Sequence, residues 1–124
     1  METCLYVDDL HAAEHFYGTV LRLKLHSREE GKFVFFHLGE GMLLIFDPDA
    51  SRGGAHDLPD HGAEGVQHVA FAVSEDSLDD WRQHLEQCGV AIEQDYYWPH
   101  GPRSLYFRDP AGHSIELAPR ALWQ

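Results

Sequence analysis

Apolar positions recur along this chain in two rhythms, and the same succession of rhythms occurs twice. A short apolar stretch at 5–7 predicts the end of a first strand, after which Asp8 or Asp9 offers a carboxylate to cap a helix. Leu10, Ala13, Phe16, Tyr17, Val20 and Leu21 return every three or four residues and form one face of that helix. Strand-like runs follow at 23–28, 32–38 and 42–46, with Gly31 and Gly39-Glu40-Gly41 supplying the turns. Residues 47–65 are rich in Gly, Pro, Asp and Ser and predict a long loop. The order then begins again with a strand at 67–73. Asp76 or Ser77 caps a second helix, which carries Leu78, Trp81, Leu85 and Cys88 on one face and stops at Gly89. Strands at 91–96, 104–108 and 114–117 complete the second round.

The order β-α-β-β-β therefore appears twice, weakly matched in residue identity but clearly matched in elements. Superposing the first strands of the two rounds sets Glu2 opposite His68. Superposing the last strands sets Ile45 opposite Glu116, Phe36 opposite Phe107 and Gly41 opposite Gly112. Two such halves are expected to pack as pseudo-symmetric modules around a shared cleft.

The last strand raises a chemical question. Asp109-Pro110-Ala111-Gly112 is turn chemistry, and the strand after it places Glu116 between Ile115 and Leu117. Alternation allows Glu116 to face water, and it equally allows a carboxylate aimed into a cavity.

Composition narrows the classes. The chain has 124 residues, 44% hydrophobic and 12% aromatic, which suits one domain with a real core. No apolar run is long enough to span a membrane, and the N-terminus METCLYVDDL lacks the basic and apolar regions of a signal peptide. A soluble, cytoplasmic protein is expected. Net charge is −12 and the 9 Lys and Arg form no stripe, so neither nucleic acid nor an anionic membrane is an expected partner. Cys4 and Cys88 make no paired metal motif and are expected to be buried thiols.

Tyr96-Tyr97-Trp98-Pro99-His100-Gly101-Pro102-Arg103 combines aromatics, a Pro-rich turn and an Arg. Tyr97 and its neighbours could wall a substrate, and Arg103 could hold a carboxylate or phosphonate in bidentate fashion or pair with a surface carboxylate. His100 is a loop histidine able to act as acid or base, although solvation is the simpler role for it. His56 and His61 lie in the 47–65 loop and are expected to be solvated, while His113 is expected to serve its turn. Some of Phe33, Phe35, Phe36 and Phe46 should line the cleft and favour an apolar part in the substrate.

CLYVDDLHAAEHFYGTVLRLKL, GVQHVAFAV and SLYFRDPAGHSIELAP together span nearly the whole chain, and in them it resembles the vicinal oxygen chelate superfamily. That superfamily includes glyoxalase I, bleomycin-resistance proteins, fosfomycin-resistance enzymes and extradiol dioxygenases. The resemblance implies an α+β fold in which two βαβββ modules form an incomplete curved barrel in a homodimer. Module 1 would occupy about 1–48, the linker about 49–64 and module 2 about 65–119. It also implies metal-ligand places on the first and last strand of each module, which fall here on Glu2, Ile45, His68 and Glu116. Three of these can bind metal and Ile45 cannot. One imidazole and two carboxylates suit a divalent ion, with Mn, Fe or Ni ahead of Zn or Mg. The implied function is Lewis-acid catalysis on a small oxygen-rich metabolite or xenobiotic, of the lyase, isomerase or thiol-transferase type. The alternative is a metal-free dimer of bleomycin-resistance type that binds a small molecule. Ile45 departs from glyoxalase I, where that place holds a fourth ligand that also serves as base.

Overall fold

In a computed structural model that describes residues 1–53 and 58–124, the chain divides into two compact units, Met1–Gly65 and Val66–Gln124. The fold is α+β, and each unit is one βαβββ module built on a four-stranded sheet. In the first, β1 (Glu2–Tyr6), β2 (Lys24–Glu29), β3 (Phe33–Leu38) and β4 (Gly41–Phe46) are ordered β1-β4-β3-β2. In the second, β5 (His68–Ala72), β6 (Gln94–Tyr97), β7 (Arg103–Arg108) and β8 (Ser114–Ala118) are ordered β5-β8-β7-β6. In both sheets the first strand runs parallel to the last and the other pairs are antiparallel.

Helix α1 (Leu10–His15) starts at Asp9, whose side chain accepts from the Ala12 amide at 3.0 Å. It runs on as a π-helical turn at Phe16–Val20, with Leu21 N–H bonded to the Phe16 carbonyl at 3.0 Å. The apolar face read from the sequence is buried here: Ala13, Phe16, Tyr17, Val20 and Leu21 pack with Leu5, Val34, Phe36, Leu43 and Ile45. The loop region also holds a short helix α2 (Pro48–Arg52), capped by Asp47 with Pro at its first turn. His56 lies outside the described residues.

Helix α3 (Leu78–Gln87) buries Leu78 and Leu85, while Phe71, Leu105, Phe107, Ile115 and Leu117 are the buried apolar side chains of its sheet. The helix ends in a Schellman motif. Gly89 has φ 79°, its N–H reaches the Glu86 carbonyl at 3.0 Å, and Val90 N–H reaches Leu85 at 2.9 Å.

Two expectations need correction. Both cysteines are exposed rather than buried, Cys4 on β1 and Cys88 at the end of α3. The last-strand register also differs. Phe36 pairs with Leu43 in the first unit and Phe107 with Ile115 in the second. Residues 37–42 join the first pair and 108–114 the second, so the second hairpin is one residue longer. The residue of β4 matching Glu116 is therefore Leu44, not Ile45. Ile45 faces the helical core with 0% exposure, because a one-residue slip carries a side chain to the opposite face.

Candidate functional site: a histidine–carboxylate pair on the second sheet

Strand alternation divides the second sheet into two faces. Ile115, Leu117, Leu105 and Phe107 are buried on the α3 side. The other face carries His68 and Ala70 on β5, Glu116 on β8 and Ser104 and Tyr106 on β7. The ladders set these side by side: Ala70 opposite Glu116, Glu116 opposite Tyr106, and Tyr96 of β6 opposite Ser104. Ala70, small and directly opposite the carboxylate, leaves room for the neighbouring imidazole.

His68 and Glu116 meet there, with Nε2 3.4 Å from Oε1. His68 is half exposed and Glu116 is buried. The other imidazole nitrogen, Nδ1, lies 2.9 Å from the Ser114 carbonyl oxygen. A carbonyl only accepts, so Nδ1 carries a proton and donates, and Nε2 is the nitrogen turned toward Glu116. Glu116 Oε2 accepts from Ser104 Oγ at 2.7 Å, and Ser104 Oγ accepts from Trp98 Nε1–H at 2.9 Å. Tyr106 also hydrogen-bonds to Glu116. Burial, the Glu116 charge and that hydrogen bond push its hydroxyl above the usual phenol range.

The turn before β8 steadies this arrangement. Asp109 is buried and its Oδ1 accepts from the amides of Ala111 and His113 at 3.1 and 2.8 Å. His113 is buried as well, and its Nδ1 accepts from Gln67 N–H at 3.0 Å, next to His68 in the chain. The turn histidine thus ties the β7–β8 hairpin to the start of β5.

Arg103 sits elsewhere. It shares the α3 side of β7 with Leu105 and is 11% exposed. Its guanidinium grips Asp95 at 2.7 and 2.8 Å and reaches Asp79 of α3 at 2.6 Å. Of the two roles weighed for it, the structure provides the carboxylate partners. Tyr97 lies under that guanidinium, 5.4 Å from ring centroid to Cζ. Neither faces Glu116. From the 96–103 segment, the aromatics on the Glu116 side are Tyr96 and Trp98, with ring centroids 4.8 Å apart. His100 is exposed in the turn, its ring 6.3 Å from that of Trp98. Alternation counted back from Glu116 across the hairpin points to Tyr106 and Ser104, a signal present in the sequence.

In the first unit, Glu2 holds the β1 position that His68 holds on β5, and it is exposed. Its face of the sheet carries an aromatic cluster. Phe33 stacks on Phe35 at 4.1 Å and Phe35 meets Phe46 edge-on at 5.3 Å. His61 lies against Phe46 at 4.7 Å, with its Nδ1 2.7 Å from the Tyr6 hydroxyl. Phe36, by contrast, is core. Cys4 shares the face of Glu2. Partial burial and the Glu2 carboxylate push its thiol up, away from thiolate chemistry at neutral pH. Among the described residues no group of three His, Cys, Asp or Glu side chains is gathered at ligating distance.

The profile of the glyoxalase/bleomycin resistance protein/dioxygenase superfamily matches residues 2–117. The chain belongs to that superfamily. Among its relatives is the metallothiol transferase FosB of Bacillus licheniformis, 32% identical over 114 residues that cover 90% of this chain and 68% of the relative. The glutathione transferase FosA of Serratia marcescens is 30% identical over 91% of this chain and 74% of its own length. Among solved structures, the lactoylglutathione lyase from Agrobacterium tumefaciens superposes with a TM-score of 0.95. It is 42% identical, covering 99% of this chain and 94% of that one. These named superfamily relatives are enzymes, two transferases and a lyase.

Proposed function

We propose that this chain is a divalent-metal-dependent enzyme of the thiol-transferase or lyase type acting on a small oxygen-rich molecule, and that His68 and Glu116 are two of its metal ligands. The observation that carries the reading is the pair itself: an imidazole Nε2 3.4 Å from a buried carboxylate oxygen, with Nδ1 held by a backbone carbonyl. The donors fit a hard or borderline divalent ion, with Mn, Fe or Ni ahead of Zn or Mg. Two ligands do not complete a site, and Glu2, in the ladder position of His68, is the proposed third, with the chain working as a cytoplasmic homodimer. A bound ion would supply Lewis-acid polarisation of a substrate oxygen.

The chain's own residues do the rest. His68 Nε2 and Glu116 Oε1 are the atoms that would hold the ion. Tyr106 keeps its proton and hydrogen-bonds to Glu116. Trp98 and Tyr96 add aromatic surface on the same face of the sheet. Neither Ile45 nor Leu44 can serve as the fourth ligand and base that the resemblance to glyoxalase I puts on the last strand of the first module, which favours addition of a thiol over isomerisation, since that needs a proton shuttled between carbons.

The test is metal content. Purified parent should carry, or take up, about one divalent ion per chain, and His68→Ala with Glu116→Ala should carry none. The loaded parent should consume glutathione in the presence of a phosphonate epoxide faster than it converts a glutathione hemithioacetal. A parent that neither holds nor takes up Mn²⁺, Fe²⁺ or Ni²⁺ overturns the proposal and leaves a binding protein of bleomycin-resistance type.

A further inference from the structure

We infer that Trp98 and Ser104 are positioning residues, forming a relay of fixed polarity that turns one oxygen of Glu116 toward His68; the inference rests on the metal reading above. The argument begins at the indole, which can only donate. Trp98 Nε1–H donates to Ser104 Oγ at 2.9 Å. A serine hydroxyl rotates freely, but a carboxylate only accepts, so the Ser104 proton goes to Glu116 Oε2, 2.7 Å away, beside the Tyr106 hydroxyl, which hydrogen-bonds to both residues. Oε2 is then held by Ser104, and Oε1 is the oxygen that faces His68 Nε2. The Ser114 carbonyl acts on the imidazole in the same one-way sense. Each ligand is thus held by a group whose hydrogen-bonding direction cannot reverse.

The surroundings suit this role. Ser104 has 0% exposure, so its hydroxyl must be satisfied inside the protein. Trp98 reaches it because the chain closes on itself just before β7. Trp98 N–H bonds to the Pro102 carbonyl at 2.8 Å and Gly101 N–H to the Trp98 carbonyl at 2.9 Å. The Pro99-His100-Gly101-Pro102 turn therefore serves to aim an indole, and the aromatic-rich segment contributes through Trp98 rather than through Tyr97.

The experiment titrates Mn²⁺ into the purified full chain, followed by calorimetry and by tryptophan emission. Ser104→Ala is expected to raise Kd about tenfold or more, and Ser104→Thr, which keeps the hydroxyl, to return it to within about threefold of the parent. Trp98→Phe is expected to raise Kd several-fold and to remove most of the emission change on Mn²⁺ binding; it carries the comparison should Ser104→Ala fail to fold. Parental Kd in both Ser104→Ala and Trp98→Phe overturns the relay. His68→Ala, titrated alongside, separates the two proposals. Lost binding in His68→Ala with parental binding in Ser104→Ala defeats the relay alone. Parental binding in both, or a parent that takes up no Mn²⁺, defeats the ligand assignment with it.

Discussion

Arg103 and Glu116 lie on neighbouring strands and face opposite ways, and that difference decides what each does. Arg103 is held by Asp95 through two hydrogen bonds. The Arg103 hydrogen bonds first, and those of Arg82 after them, hold the Asp95 carboxyl below the usual carboxylate range. A carboxyl depressed in the folded state stabilises the protein above its unfolded pKa, and that contribution is lost as pH falls through the folded one. Asp95→Asn should therefore cost about 2 kcal/mol in urea unfolding at pH 7. The gap between variant and parent should narrow below about pH 4. A gap that stays constant from pH 7 to pH 3 would show that the ion pair is not its cause. The sequence could supply the candidate types here, an Arg beside aromatics and a carboxylate between apolar neighbours. It could also supply their faces, since residues 104 and 106 must share a side that 103 and 105 do not. What alternation cannot supply is which carboxylates Arg103 meets, because Asp79 approaches from a helix and Asp95 from another strand.

Among the elements, the two sheets and the helical faces were legible because periodic burial drives them, and periodicity survives in a single sequence. The lengths of connections were less so. The one extra residue in the β7–β8 hairpin moves the counterpart of Glu116 from Ile45 to Leu44, and a register taken across unequal turns cannot detect it. Helix α2 was hidden in a segment whose Gly and Pro content reads as loop, although Asp47-Pro48 is a start signal. The β7–β8 turn does more than reverse the chain, since His113 holds Gln67 and Asp109 holds the turn's own amides. Gly112 makes the turn possible with φ 88°, where a Cβ is strained even though a side chain there would meet no neighbour. Gly112→Ala should cost about 1–2 kcal/mol of stability in chemical denaturation. An unchanged midpoint would mean that the hairpin relaxes to another turn without loss.

At the scale of the whole molecule, the same module occurs twice with unequal side-chain chemistry. The first strand of each module carries a proposed ligand, Glu2 and His68, at the same ladder position. The last strands have diverged, to Leu44 in one and Glu116 in the other. Such a pair of unequal halves can build its site within one chain or across a homodimer, and the two arrangements answer differently to mixing. Glu2→Ala alone and His68→Ala alone should each bind Mn²⁺ at least tenfold more weakly than the parent. If Glu2 of one subunit serves His68 and Glu116 of the other, co-refolding equal amounts of the two variants recreates one intact site in every mixed dimer. Metal binding at parental affinity should then return at about a quarter of all sites. If each site lies within one chain, every site in the mixture lacks a ligand and nothing returns. Recovery at about a quarter of the sites is the outcome expected if the proposed homodimer shares Glu2 between subunits, and it would make the dimer a condition of metal binding. No recovery in a mixture shown by mass to contain mixed dimers would place Glu2 in the same chain as its partners.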